Sequence, residues 1–449
     1  MVYKSHTRTE SRPISVMINT PFLTLLDPRA KIKGSRDPLG LQVLWTKLGR
    51  QVVSNLTTVT TSLRGFSVLL LGLYFAECAI AERRVSPNQL VSLFLKFEQI
   101  AAYSRVAARI AQSLDYTEDE IRGIQRVKKN LTKKRVHISA DPTCQILANQ
   151  KTYGLWGLYT VAARTSKLIE SDSPRLTSET RNFVMMEYDN PKHLTAHDRE
   201  QIINFLCNDQ WFEPAGKDVK LARKLATLLG EVTPSERHFY KKHLAECMDS
   251  DLQAALWNGM QKVTSADEPF SMNDLTALLK HARTHGQAEL ARRLLQIQVA
   301  ESVFAPAAYM FNFMLVRDGQ TIDKIANEIR QAWGAKLRNI DPAAFAQVLE
   351  TLHEEVETSA RARLMQLAIS LAEGDYQKAL EVLVAQNQAV MKSRGGSAWV
   401  TLKGETISVG FKENAGVLPA RANLPLLWMN SYFLNALKMI GYQVEGGLQ

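Results

Sequence analysis

Cysteine is scarce and scattered in this chain: 449 residues contain four, Cys78, Cys144, Cys207 and Cys247. No two lie close enough for a C-x-x-C pair, which excludes the zinc and redox motifs that depend on that spacing and makes a reducing, cytoplasmic location the expectation. Long apolar runs are also missing. The strongest, Phe66 to Ile80, is 15 residues long, contains Glu77 and lies between Arg64 and Arg83. A membrane span needs ~20 apolar residues, so this run predicts a buried helix and no membrane partner. Met1 to Ser15 is polar and basic without the apolar centre of a secretory signal, so export is not expected. Gly34 to Gly40 lacks the Gly-Lys-Ser/Thr ending of a phosphate-binding loop, and neither a dinucleotide fingerprint nor a G-x-S-x-G elbow occurs. No cofactor is expected, and ATP-driven work would have to come from another chain.

What is present is ordinary globular material, 45% hydrophobic and 22% charged, long enough for two to four domains of roughly 100 to 200 residues. Charge is distributed unevenly. Lys and Arg outnumber Asp and Glu by 22 to 10 in residues 1 to 139, against 33 to 35 in the remainder. Within the first third, Arg122, Arg126, Lys128, Lys129, Lys133, Lys134 and Arg135 fall in fourteen residues that contain no acid. Seven cations so close repel one another unless a polyanion is near, which points to a nucleic-acid-binding surface.

Punctuation by Gly, Pro and capping residues divides the chain. Residues 1–40 read as an arm and loops. Residues 41–170 read as a basic helical domain, with Ser86-Pro87 opening one helix and Thr117 to Glu120 spaced as a capping box before the basic run. Arg135 to Ser139 alternates like a short strand, Asp141-Pro142 starts a further helical stretch up to Lys151, and Leu158 to Ile169 can form another helix. This order suits a winged-helix or helix-turn-helix module in which Arg164 and Lys167 touch DNA. Ser171 to Pro174 is a candidate boundary. Residues 175–392 read as antiparallel helix pairs, including a Glu373-Gly374-Asp375-Tyr376 turn like that of a tetratricopeptide repeat, without its period. Residues 393–449 offer a β-hairpin, Ala398 to Leu402 with Thr406 to Phe411, and a docking helix, Leu426 to Ile440. The expected class is therefore mainly α and multi-domain, with a winged-helix/HTH-like basic module and a small C-terminal β-hairpin.

Candidate catalytic groups are few. Arg237 to His243 resembles the R-x4-6-H signature of HEPN ribonucleases, which implies an Arg and a His acting on an RNA 2′-hydroxyl and phosphate. His281 and His285 have the spacing of two metal ligands on a helix face, but no Glu follows His281. Asp218-Val219-Lys220, with Asp209 and Glu213, shares residue types with PD-(D/E)-x-K nucleases, yet reads as loop and helix where those enzymes need strands. Tyr153, Trp156 and Tyr159 read as core packing.

Asn149 to Tyr159, running on to Ala163-Arg164, resembles segments of uncharacterised accessory proteins encoded in bacterial anti-phage defence operons, as does Gly34 to Gly40 with Leu41 and Trp45. The resemblance implies a subunit working beside a helicase, nuclease or other effector. Together these features lead to the expectation of a non-enzymatic accessory subunit that binds double-stranded DNA through residues 122 to 167 and protein partners through its C-terminal helical part. A HEPN-like ribonuclease and a purely structural scaffold are the alternatives.

Overall fold

A computed structural model describes residues 37–83, 85–112, 121–355, 357–411 and 416–447. Residues 1–36 of the N-terminal arm, which include the first three of Gly34 to Gly40, and the Thr117 to Glu120 capping box lie outside them. Among the described residues there are 18 α-helices and two small antiparallel strand pairs, so the mainly helical class holds. The described chain divides into two compact units, one of residues 41–306, 338–361 and 422–447, the other of 37–40, 307–337, 362–411 and 416–421.

The larger unit is built around two long helices, Leu63–Arg83 and Leu90–Ala111. Leu63–Arg83 is apolar almost all round and passes the length and composition test for a membrane span, but protein covers 89% of its apolar window. Leu90–Ala111, Leu155–Thr165, Ser178–Glu187 and Ala196–Cys207 pack against it, so the apolar run is core, as its Glu77 and short length predict. Gly65 permits the closest of these approaches: a Cβ there would stand 2.4 Å from the Tyr159 ring.

Two buried carboxylates of this unit, Glu236 and Glu301, are matched by donors from across the sequence, as burial requires. The Glu236 carboxylate receives both Arg64 terminal nitrogens, the nearer at 2.6 Å, together with the hydroxyls of Ser67 and Tyr188 and the Thr233 amide. Glu301 accepts from the amides of Met429 and Asn430, the Asn430 side chain and the Tyr432 hydroxyl. That anchorage, with Tyr432 and Phe433 at positive φ, delays the last helix. It runs Leu434–Glu445 after a 3-10 turn at Arg421–Leu426, eight residues later than the apolar pattern suggests.

The Asp141-Pro142 stretch is turn rather than helix, because Asp141 Oδ1 accepts from the amide and hydroxyl of Thr143 instead of capping a longer element. Helical structure resumes at Gln150–Tyr153 and, after Gly154, at Leu155–Thr165. The strand after the basic run, Val136–Ile138, pairs with Gln210–Phe212 some seventy residues on, not with a neighbouring hairpin of the kind a wing would supply. Ser171 to Pro174 lies within the larger unit as a loop closed by an Ile169 to Leu176 bridge and the Glu170 amide on the Arg175 carbonyl, 2.8 Å.

In the smaller unit, Ile322–Trp333 packs on Tyr376–Ser393, which carries the hairpin Val400–Lys403 and Thr406–Val409. The hairpin register, Val400 opposite Val409 and Lys403 opposite Thr406, follows the predicted turn at Lys403-Gly404-Glu405. Asn387 fixes the hairpin by accepting the Trp399 amide at 2.8 Å and donating to the Pro38 carbonyl at 2.9 Å. The turn after Glu373 contains Gly374 at φ +77°, and the next helix starts at Tyr376, whose hydroxyl donates to the Gly334 carbonyl.

Candidate nucleic-acid interface

The basic run forms the helix Ile124–Leu131 and the turn leading into the strand Val136–Ile138. Gly123, at φ +78°, starts that helix, and a Cβ at this position would meet the Ile146 carbonyl at 2.4 Å. Ile121, Ile124 and Val127 are buried, which turns Gln125, Arg126 and Lys129 outward. Arg126, Lys129, Lys133, Lys134 and Arg135 are exposed, whereas Arg122 and Lys128 are half-buried.

These cations are not equivalent. Arg126 donates to the Gln145 carbonyl at 2.9 Å. Arg122 lines a cleft with Arg64, Glu98, Arg105 and Tyr159, so it belongs to the inner wall. Lys129, Lys133 and Lys134 form no ion pair among the described residues. Arg135 lays its guanidinium over the Trp211 ring, 4.5 Å from the centroid.

The loop behind this surface is held by a buried polar network on the helix Leu90–Ala111. Glu98 accepts from the Gln150 side chain and from the Leu155 amide, each at 2.7 Å, at the start of Leu155–Thr165. Burial pushes its carboxyl up to about 7, against the opposing pull of those two donors. Gln99 donates to the Ser139 carbonyl at 2.8 Å, and Gln150 donates to the Leu95 carbonyl at 2.9 Å. Residues 139–155 are thereby pinned beneath the basic run.

Arg164 and Lys167 stand apart from the exposed lysines in their environment. Arg164 is half-buried with its Nε 3.4 Å from the Glu170 carbonyl. Lys167, at φ +57°, is paired with Asp249 at 2.6 Å. Both lie at or beyond the last turn of Leu155–Thr165, whose exposed positions Gly157, Val161 and Thr165 carry no charge.

The HEPN-like residues sit in a different setting. His243 is 1% exposed, its Nδ1 3.1 Å from the Ser166 carbonyl and its ring on Phe239. A ring so enclosed has no face for a substrate phosphate. The His281 and His285 rings do meet, tilted at 32° with centroids 4.0 Å apart, and burial with the neighbouring His285 lowers the His281 pKa. No group of three metal-ligating side chains occurs among the described residues. Asp218 accepts from Gln201 and the Glu213 amide, and Asp209 pairs with Lys96 at 2.6 Å. Those carboxylates hold local structure together.

Trp211 is the residue that sequence reading missed. It is 44% exposed on the strand Gln210–Phe212, directly opposite His137 in the register. Only the short run Gln210-Trp211-Phe212 carries it, with no alternation in sequence and too few residues to distinguish a strand from the end of a helix. Tyr159 is buried as predicted, whereas Tyr153 is 59% exposed. No protein-family model, curated protein or solved structure matches the chain.

Proposed function

We propose that this protein is a non-enzymatic, cytoplasmic accessory subunit that binds double-stranded DNA through its basic run and works with other subunits, such as a helicase or nuclease, in a bacterial antiviral system. The observation that carries the DNA-binding reading is the set Lys129, Lys133 and Lys134, exposed and without carboxylate partners among the described residues. Such cations neutralise phosphates and release counterions without reading sequence. The antiviral setting rests on the likeness of residues 149–164 to defence-operon proteins. Arg126 and Arg135 flank the lysines in sequence, whereas Lys167 is already paired with Asp249 and Arg164 donates to the Glu170 carbonyl.

Fluorescence anisotropy with labelled blunt duplex DNA across a salt series tests this. Binding should weaken steeply with salt. Reversing Lys129, Lys133 and Lys134 to Glu should lower affinity at least tenfold and flatten the log–log slope by about 3, near 0.9 per lost phosphate contact. Thermal stability should stay within about 0.5 kcal/mol of wild type, because these side chains lie on the surface. Absence of duplex binding at low salt, or binding indifferent to the reversal, overturns the reading.

A further inference from the structure

The ribbon of Val136–Ile138 and Gln210–Phe212 has one inward and one outward face. Alternation sends Val136, Ile138 and Phe212 into the core, which leaves the cross-strand pair His137 and Trp211 outside. Their ring centroids are 5.0 Å apart, and the Cys144 Sγ lies 3.5 Å from His137 Nδ1. Arg135 adds a cation over the indole. Even with both neighbours in place the Trp211 side remains open to solvent, whereas Trp257 and Trp333 elsewhere in the chain are fully buried.

We infer that this ribbon is a stacking platform for an unpaired base of single-stranded DNA, with Trp211, His137 and Arg135 receiving the base and Lys133 and Lys134 receiving the adjoining phosphates. The inference rests on the DNA-binding reading and narrows it to duplex carrying a single-stranded extension. Aromatic rings and guanidinium planes accept the π-face of any base, and that face is accessible only where the base has left the duplex stack. Lys133 and Lys134 immediately precede the ribbon in sequence and are exposed. The carboxylates adjoining the two strands in sequence are engaged elsewhere: Asp209 is matched by Lys96 and accepts the Ser139 hydroxyl, and Asp141 is turned onto Thr143. A duplex held by the basic run would therefore meet, at the end of that run, a surface suited to a strand that has opened.

The test compares anisotropy of the full chain with blunt duplex DNA and with the same duplex bearing a single-stranded DNA overhang. Wild type should prefer the overhang substrate by roughly tenfold, the worth of about one stacked base. Trp211→Ala should erase that preference while leaving blunt-duplex affinity within about twofold and lowering the melting temperature by only a few degrees, as loss of one cross-strand pair does, and Trp211→Phe should keep most of the preference. Equal wild-type affinity for the two substrates, a preference that survives Trp211→Ala, or equal loss on both substrates overturns the platform. So does a preference shown only when the overhang is RNA. If reversal of Lys129, Lys133 and Lys134 leaves blunt-duplex binding intact, the basic run fails as the duplex site; the platform then stands only if wild type still prefers the overhang and Trp211→Ala removes that preference, and falls with it otherwise.

Discussion

Two basic stretches of this chain look alike as strings, residues 122–135 and residues 237–243, and they differ in what surrounds them. In the second, Lys241 reaches Glu445 at 2.7 Å and Lys242 reaches Glu179 at 2.6 Å, while His243 is packed under Phe239. In the first, Lys129, Lys133 and Lys134 have no such partner among the described residues. Local charge density therefore does not measure available charge. The carboxylates that cancel Lys241 and Lys242 come from positions 204 and 63 residues away, and only the folded chain brings them there.

The largest effect that would sharpen this contrast lies beside the second region, at its helix's first turn. Glu236 shares its helix with Arg237, and its ion pair with Arg64 is buried, the two side chains 0% and 8% exposed. Arg64→Ala should cost about 3 to 5 kcal/mol in urea unfolding, since it leaves a carboxylate buried without its cation. A loss below about 1 kcal/mol would mean that the hydroxyls and amide around Glu236 suffice, and the contrast between used and unused charge would weaken.

Glu98 comes next, a buried acid held by an amide side chain and a backbone N–H. With its carboxyl raised to about 7 from 4.5, the folded protein binds a proton that the unfolded chain has released over that range. The stabilisation is complete below about pH 4.5 and is lost as pH rises through 7, on the order of 3 kcal/mol in all. Unfolding free energies measured at pH 5 and pH 8 should fall by that order in wild type and by much less in Glu98→Gln. Equal slopes in the two proteins would show that Glu98 is not the titrating group.

The smallest effect is on a paired surface lysine. Lys242→Ala should change stability by under about 1 kcal/mol, as exposed ion pairs do, and should leave duplex affinity within about twofold in the same anisotropy assay. A loss of DNA binding comparable with that from reversing Lys129, Lys133 and Lys134 would break the distinction between the two stretches.

Legibility in the sequence follows how local the signal is. The hairpin at Lys403-Gly404-Glu405 is written in two alternating runs and a Gly turn, and the strands fall within two residues of the prediction. The helix over Phe66 to Ile80 is equally local. The final helix was misplaced because Glu301, 128 residues from Met429, captures the segment before it. At the candidate interface, the basic run can be read from composition, but Trp211 cannot. A three-residue strand gains its meaning only from a partner seventy residues away.

The sequence by itself determined the helical class, the uneven charge and the cationic run, because periodicity, capping and composition act over a few residues. Tertiary structure decided which of those cations remain unpaired, which histidine is buried, and which aromatic stands beside them. Those outcomes depend on contacts between residues far apart in the chain, where packing and desolvation outweigh any local preference.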